Sequence, residues 1–275
     1  MKDSSNKPLQ RREFLAKASL ALGSFIIVPR HVLGGRKPDG SAYLAPSDVI
    51  NLGFIGTGKQ GKGLGSSFLN TGQVRIQAIS EVYQAKANGF IDRVKEIYTK
   101  NPALGKYADI PVYQDFRELL ALKNVDAVVI ASPDHWHAAM SVRAAAAGKD
   151  IYCEKPLSLT VKEGRAMVNA ARKYKRVFQT GSMQRSWPEF RQTAELIRNG
   201  YIGEVKSIKV NVGPPPIAYD LGAEEIPAGL DFAKWLGPNA PAAFNSELAP
   251  PITKDVFPNW RKYKEFGGGG MTDWG

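Results

Sequence analysis

A Rossmann-type, doubly wound parallel α/β sheet followed by an incomplete α+β second domain is the fold that this chain of 275 residues predicts. Three observations predict it. From Val49 onward, short apolar runs alternate with helical patterns, the order that builds a parallel sheet covered on both faces. The first run, Val49 to Ile55, opens into glycines at 56, 58 and 61, and the second, Val74 to Ser80, ends in an acid at Glu81. Past Arg185 the pattern changes to one amphipathic helix, an alternating strand and a long Pro-rich, aromatic stretch.

Taken in order, the chain begins with Gln10-Arg-Arg-Glu-Phe-Leu-Ala-Lys17 ahead of an apolar run from Ala18 to Val28. That is the layout of an export leader with paired arginines. The run is too short to span a bilayer. Residues 1–35 are therefore expected to be a twin-arginine signal region, and 36–48 a linker. A folded protein would be handed to the twin-arginine export machinery and reach the periplasm, with the leader cleaved or kept as a membrane anchor. Composition, 43% hydrophobic and 23% charged, is that of a globular protein and excludes disordered and fibrous classes. The formal charge of +11 would suggest nucleic acid, but residues 1–37 carry eight cationic and two acidic side chains, so +6 of the excess lies in that N-terminal stretch. No dense basic run with interleaved aromatics follows, and nucleic-acid binding is not expected. The single cysteine, Cys153, excludes an intrachain disulfide.

Residues 49–185 read as a dinucleotide-binding domain. Each glycine of Gly56-Thr-Gly58-Lys-Gln-Gly61 has its own task. The first allows the sharp turn out of the strand, the second lets a pyrophosphate approach the backbone, and the third lets the next helix pack closely. Unpaired N–H groups at that helix start would hold the phosphates. Glu81 falls about 20 residues on, where a ribose hydroxyl would be met. A helix to about Thr99 follows, then Pro111-Val-Tyr113, a helix capped by Asp115 and running to Leu122, and the apolar strand Asp126–Ser132. Pro133-Asp-His-Trp-His137 leads into an Ala-rich helix ending at Gly148. The strand Ile151–Cys153 closes in Glu154-Lys-Pro156, and a helix over Val161–Lys173 and a strand over Val177–Thr180 complete the alternation. In the second domain, 186–275, a helix is expected over Phe190–Arg198 and an antiparallel strand over Glu204–Val210.

Ligands of open α/β sheets collect beyond the carboxyl ends of the strands. Lys155, at such an end, can be partly desolvated and so suited to proton transfer, and an X-Pro bond such as Lys155–Pro156 can be cis. His135 and His137 lack further ligands at a usual metal spacing, so no metal is expected.

Ile55-Gly-Thr-Gly58, Glu81, Ser132-Pro-Asp-His-Trp-His137, Glu154-Lys-Pro156 and Gly200-Tyr-Ile-Gly203 together resemble the Gfo/Idh/MocA family, the glucose-fructose oxidoreductase and inositol dehydrogenase family. The resemblance runs from Val49 to the end of the chain. It implies a cofactor site made of Gly56, Thr57, Gly58, Lys59, Gln60, Gly61, Glu81, Ser132, Pro133, His135, His137, Glu154, Lys155 and Gln184. It also implies that Lys155 is the active-site lysine and that Asp273 is its acidic partner. The family places a histidine four positions after that acid, and the chain stops at Gly275. NAD is expected over NADP, since the Glu81 carboxylate would repel a 2′-phosphate. The substrate implied is a sugar or cyclic polyol, and full-length relatives are expected to be homo-oligomers. Two other readings are an NAD-dependent glycosidase or lyase that oxidises its sugar transiently, and a non-catalytic nucleotide or sugar binder. Tyr219, Trp235, Trp260 and Trp274 are aromatics that could stack on sugar faces; of these Trp235 is expected in the core instead, and Trp274 stays open. With the strand near Val205–Val212 lacking neighbours, residues 213–275 are expected to pack loosely, in contrast to a well-packed 49–185.

Overall fold

The computed structural model describes residues 35–36, 42–43, 45–251 and 256–274. The paired arginines and apolar run of the leader lie outside the described residues. Contacts divide the chain into two units, 1–49 and 50–275. Of the first, the described part is a short antiparallel pair, Gly35–Arg36 with Ala42–Tyr43, and a 3-10 turn at Pro46–Asp48.

The second unit carries the sheet. Its strands are β1 (Ile50–Ile55), β2 (Val74–Ser80), β3 (Val112–Tyr113), β4 (Ala127–Ile130), β5 (Asp150–Glu154) and β6 (Phe178–Gly181). All neighbours are parallel, in the order β3-β2-β1-β4-β5-β6. The crossovers are α1 (Lys59–Asn70), α2 (Gln84–Lys100), α3 (Phe116–Leu120), α4 (Asp134–Ala146) and α5 (Val161–Lys173). Local chemistry fixes their starts. The Asp115 carboxylate accepts from the Arg117 N–H, and Thr160 and Glu163 form a reciprocal capping box at α5. Alternate residues of each strand serve opposite faces. Leu52, Phe54 and Val129 join Phe90 and Val94 of α2 in one core, while Ile55, Val128 and Ile130 join Leu119 and Ala144 in the other. Burial on both faces is why these strands read as continuous apolar runs.

After β6 the chain forms α6 (Pro188–Arg198), which buries none of its residues, and then an open stretch to about 216. The strand expected over Glu204–Val210 does not form. A lone strand leaves its N–H and C=O groups without partners, and among the described residues none pairs with this one. The expectation of loose packing over 213–275 fails for a different reason. Leu230, Phe232, Trp235, Phe244, Leu248, Trp260, Tyr263 and Phe266 build a third core with Tyr83 at the start of α2. Backbone bonds from Asp231 N to Val82 O and from Gln84 N to Gly229 O, both 2.9 Å, seat this return segment on the sheet's carboxyl edge. It contains the short helices α7 (Phe232–Leu236) and α8 (Gly269–Trp274). Among the described residues no helix is long and apolar enough to cross a membrane.

Candidate functional site

The strand order reverses between β1 and β4, so a crevice opens where the loops after these two strands part. One lip is the glycine turn. Gly56 has φ +87°, and a Cβ there would lie 2.7 Å from the Ala131 carbonyl oxygen; a Cβ on Gly61 would overlap the Gly56 carbonyl. In front of Gly58, by contrast, nothing lies within 4 Å, the room that a pyrophosphate approaching the backbone needs. Glu81, at the end of β2, organises the turn: its Oε2 accepts from Thr57 N (2.8 Å) and Thr57 Oγ1 (3.0 Å), and its Oε1 from Tyr83 N (3.0 Å).

The other lip is formed by Ser132, Pro133 and Trp136, and the outer wall by the return segment, through Leu248, Phe257, Trp260 and Arg261. Lys59, Lys62 and Lys86 face the same space, a cationic floor suited to phosphate oxygens. Burial draws the Lys86 ammonium below its ordinary range, against the attraction of Glu81. Open glycine backbone, helix N-terminus, acid and cations fit a nicotinamide dinucleotide. The turn residues Gly56 to Gly61 would hold its pyrophosphate, and Glu81 its adenine ribose.

At the far end of β5 stands Lys155, whose peptide bond to Pro156 is cis. Its Nζ donates to Asp273 Oδ1 (2.7 Å) and to the Asp273 carbonyl (2.8 Å), and lies 5.3 Å from the Trp274 ring centroid. These partners are 118 residues apart in sequence. Gly267 to Gly270 make their meeting possible, because side chains there would collide with Arg261, Thr272, Pro216 and the Val212 carbonyl. Beneath lie two buried acids. Glu154 accepts from Gln60 Nε2 (3.0 Å) and Tyr152 Oη (3.3 Å), and burial raises its pKa. Asp134, at the first turn of α4, is pushed up to about 8 by burial and by the Asp273 charge, with Arg261 and Lys155 opposing. It therefore carries its proton near neutral pH.

Thus the structure brings Gly56, Thr57, Gly58, Lys59, Glu81, Ser132 and Pro133 to the crevice, sets Gly61 behind the turn against the Gly56 carbonyl, and gathers Gln60 with Glu154 and Lys155 with Asp273, the latter next to the wall residue Arg261. Two residues expected at the cofactor fall elsewhere. His135 packs against Trp235 and Phe266, with Nε2 3.0 Å from the Trp235 carbonyl, and burial lowers its pKa to about 4. His137 is buried between carbonyls, Nδ1 at 2.6 Å from Pro156 O and Nε2 at 2.9 Å from Ser132 O, so it ties the β4 and β5 loops together. Near Gln184 it is Met183, not Gln184, that meets Gln60, at 3.8 Å. Successive helical residues point about 100° apart, so at the start of α4 only one side chain can face the crevice, and it is Trp136. Phe257 and Arg261 escaped sequence reading; the aromatic-rich Pro258-Asn-Trp-Arg261 stretch was the available signal. Trp235 lies in the core, as expected.

Residues 50–182 match the model of the GFO_IDH_MocA family, described as an oxidoreductase family with an NAD-binding Rossmann fold. Among curated relatives, the uncharacterized oxidoreductase YrbE of Bacillus subtilis is 31% identical over 173 residues, 62% of this chain and 47% of that protein. A glycosyl hydrolase family 109 protein of Shewanella baltica is 29% identical over 163 residues, 59% of this chain and 35% of that one. The chain thus spans about a third to a half of the length of these relatives, 35% and 47%. Among solved structures, myo-inositol 2-dehydrogenase from Lactobacillus plantarum aligns with 57% of this chain and 43% of its own, at 25% identity and a TM-score of 0.47.

Proposed function

We propose, taking residues 50–182 as the NAD-binding Rossmann domain of a Gfo/Idh/MocA oxidoreductase, that the protein moves hydride between bound NAD and a sugar or cyclic polyol hydroxyl. The observation that carries this reading is Lys155 held 2.7 Å from Asp273 at the end of the strand beside the dinucleotide crevice. When bound, the nicotinamide supplies the redox chemistry. The chain supplies position and proton handling. The Gly56–Gly61 turn and Glu81 hold the dinucleotide, Glu81 favouring the form without a 2′-phosphate. Lys155 sets its amine beside the reacting oxygen, where it both polarises that oxygen and takes the hydroxyl proton as hydride leaves the same carbon, and Asp273 keeps that amine aimed. Trp274, 68% exposed beside Lys155, offers a face for a sugar ring.

The test is turnover with a panel of sugars and cyclic polyols, following reduced cofactor and product together. Reduced cofactor in proportion to oxidised product is expected, and it should vanish in Lys155→Met while NAD binding persists. Sugar release from a glycoside with no net reduction would overturn this reading in favour of a glycosidase. We further propose export by the twin-arginine route, on the strength of Arg11-Arg12 and the apolar run after them. Replacing both arginines by lysine should leave the protein in the cytoplasmic fraction; unchanged export would refute the proposal.

A further inference from the structure

Lys155 is not alone in reaching Asp273. Arg261 Nε lies 3.9 Å from Asp273 Oδ1, the oxygen that Lys155 Nζ meets at 2.7 Å. The Arg261 side chain is clamped in place. Its guanidinium sits 4.2 Å from the Trp260 ring centroid and 5.3 Å from that of Phe257, and Nη1 donates to the Pro258 carbonyl at 3.3 Å. The other cation on the Phe257 ring is Lys59, 4.9 Å from its centroid, at the first position of α1 beside the glycine turn. A continuous stack of cations and rings therefore runs along the crevice wall, from the phosphate-binding turn at Lys59, through Phe257, to Arg261 and on to Asp273. Behind Arg261 the backbone closes in: a Cβ on Gly267 would stand 3.0 Å from the Arg261 Cα. Arg261 thus both lines the crevice and approaches the Asp273 carboxylate.

We infer that Arg261 is a positioning residue for the Lys155–Asp273 pair, fixing the Asp273 carboxylate against Lys155 and linking that contact to the wall of the dinucleotide crevice. The inference rests on the reading of Lys155 as the active-site lysine. Among the described residues, the charged and ionisable groups around the pair are Glu154 at the end of β5, Asp134 and His137 in the first turn of α4, and Arg261 itself. Of these only Arg261 both approaches the carboxylate as a cation and lies on the wall. Its charge is permanent, and its planar fork lets it stack and bond at once, which a lysine amine does less well.

Competitive amine labelling of the whole chain, read residue by residue by mass spectrometry, tests this without relying on turnover. Asp273→Asn sets the rate at which Lys155 reacts without the carboxylate, keeping only the backbone carbonyl of residue 273 as partner. Arg261→Met should bring Lys155 close to that rate, roughly threefold or more above wild type, because the carboxylate is no longer held. Arg261→Lys should restore most of the protection. Lys149 is the internal check on folding, since its Nζ is buried against the Leu122 and Val125 carbonyls at 2.6 and 2.8 Å. Should Lys149 also become reactive in Arg261→Met, Trp260→Leu decides: it removes one ring of the clamp, keeps the charge, and is expected to raise Lys155 labelling by a smaller factor. Wild-type labelling of Lys155 in a folded Arg261→Met or Trp260→Leu chain, with Asp273→Asn accelerated, would overturn the positioning role. No acceleration in Asp273→Asn would overturn it too, by showing that the pair does not protect Lys155. Failure of the functional reading shows separately, as undiminished turnover in Lys155→Met.

Discussion

Residues 187–212 and 230–266 are both rich in large apolar side chains, yet the first stretch leaves them in solvent and the second buries them. Phe190 is 52% exposed and Ile208 81%, whereas Trp235 is 5% exposed and Phe266 fully buried. Apolar content does not separate the two; partners do. The return segment meets a prepared surface, with Tyr83 as an anchor, strand-end backbone groups that accept and donate, and both His135 Nε2 and Trp136 Nε1 within 3.0 Å of the Trp235 carbonyl. The helix α6 and the stretch after it meet none among the described residues. The packed stretch is thereby part of the site, because it supplies the outer wall and carries Asp273 to Lys155.

The largest effect that would break this contrast is Trp235→Ala. It deletes a buried indole at the centre of the third core and should cost about 3–5 kcal/mol, read as a fall in the chemical-denaturation midpoint. A cost below about 1 kcal/mol would mean that the return segment is not docked. Next comes Gly61→Ala, whose new methyl group would overlap the Gly56 carbonyl and distort the turn. About 1–3 kcal/mol is expected from such overpacking, together with at least a tenfold loss of NAD affinity by titration.

Two groups on the packed side set a pH dependence of opposite signs. His135 is neutral in the fold down to about 4, while its unfolded counterpart protonates near 6.5, so its contribution is present above 6.5 and lost as pH falls toward 4. Asp134 is the reverse. Its proton is held up to about 8 in the fold but only to about 3.8 in the unfolded chain, so its contribution is full at low pH and lost as pH rises to 8. Of these two, only the Asp134 effect operates between pH 6.5 and 8. Stability should decline there by about 1–2 kcal/mol, and Asp134→Asn should flatten the decline. A slope unchanged in that variant would place the titrating group elsewhere. The smallest effect belongs to the open stretch: Ile208→Ser should change stability by less than about 0.5 kcal/mol, and a larger loss would reveal a partner surface for it.

The sheet and the glycine turn were legible because their signals are local. Gly56, Gly58 and Gly61 each answer a backbone demand made by their immediate neighbours, and strand burial shows as unbroken apolar runs. Lys155 and Asp273 were paired only through the family resemblance, since no local pattern reaches across 118 residues. The return segment was misjudged because it is mostly irregular: without a period of two or 3.6, aromatic residues such as Phe244 and Trp260 look the same whether docked or loose. His135 and His137 were assigned to the crevice because a strand-end motif does not say which way each side chain turns once the helix begins. The strand over Glu204–Val210 was read from alternation alone, and alternation does not supply a neighbour to pair with.

Amide hydrogen exchange with and without NAD tests the central claim, that the dinucleotide crevice is made jointly by the glycine turn and the return segment. New protection on adding NAD is predicted at 56–62 and at 256–263, none at 187–212, and at an NAD concentration near the wild-type Kd the protection should be several-fold smaller in Gly61→Ala. Protection confined to 56–62, with 256–263 exchanging as before, would contradict the account, because the return segment would then not be a wall of the site.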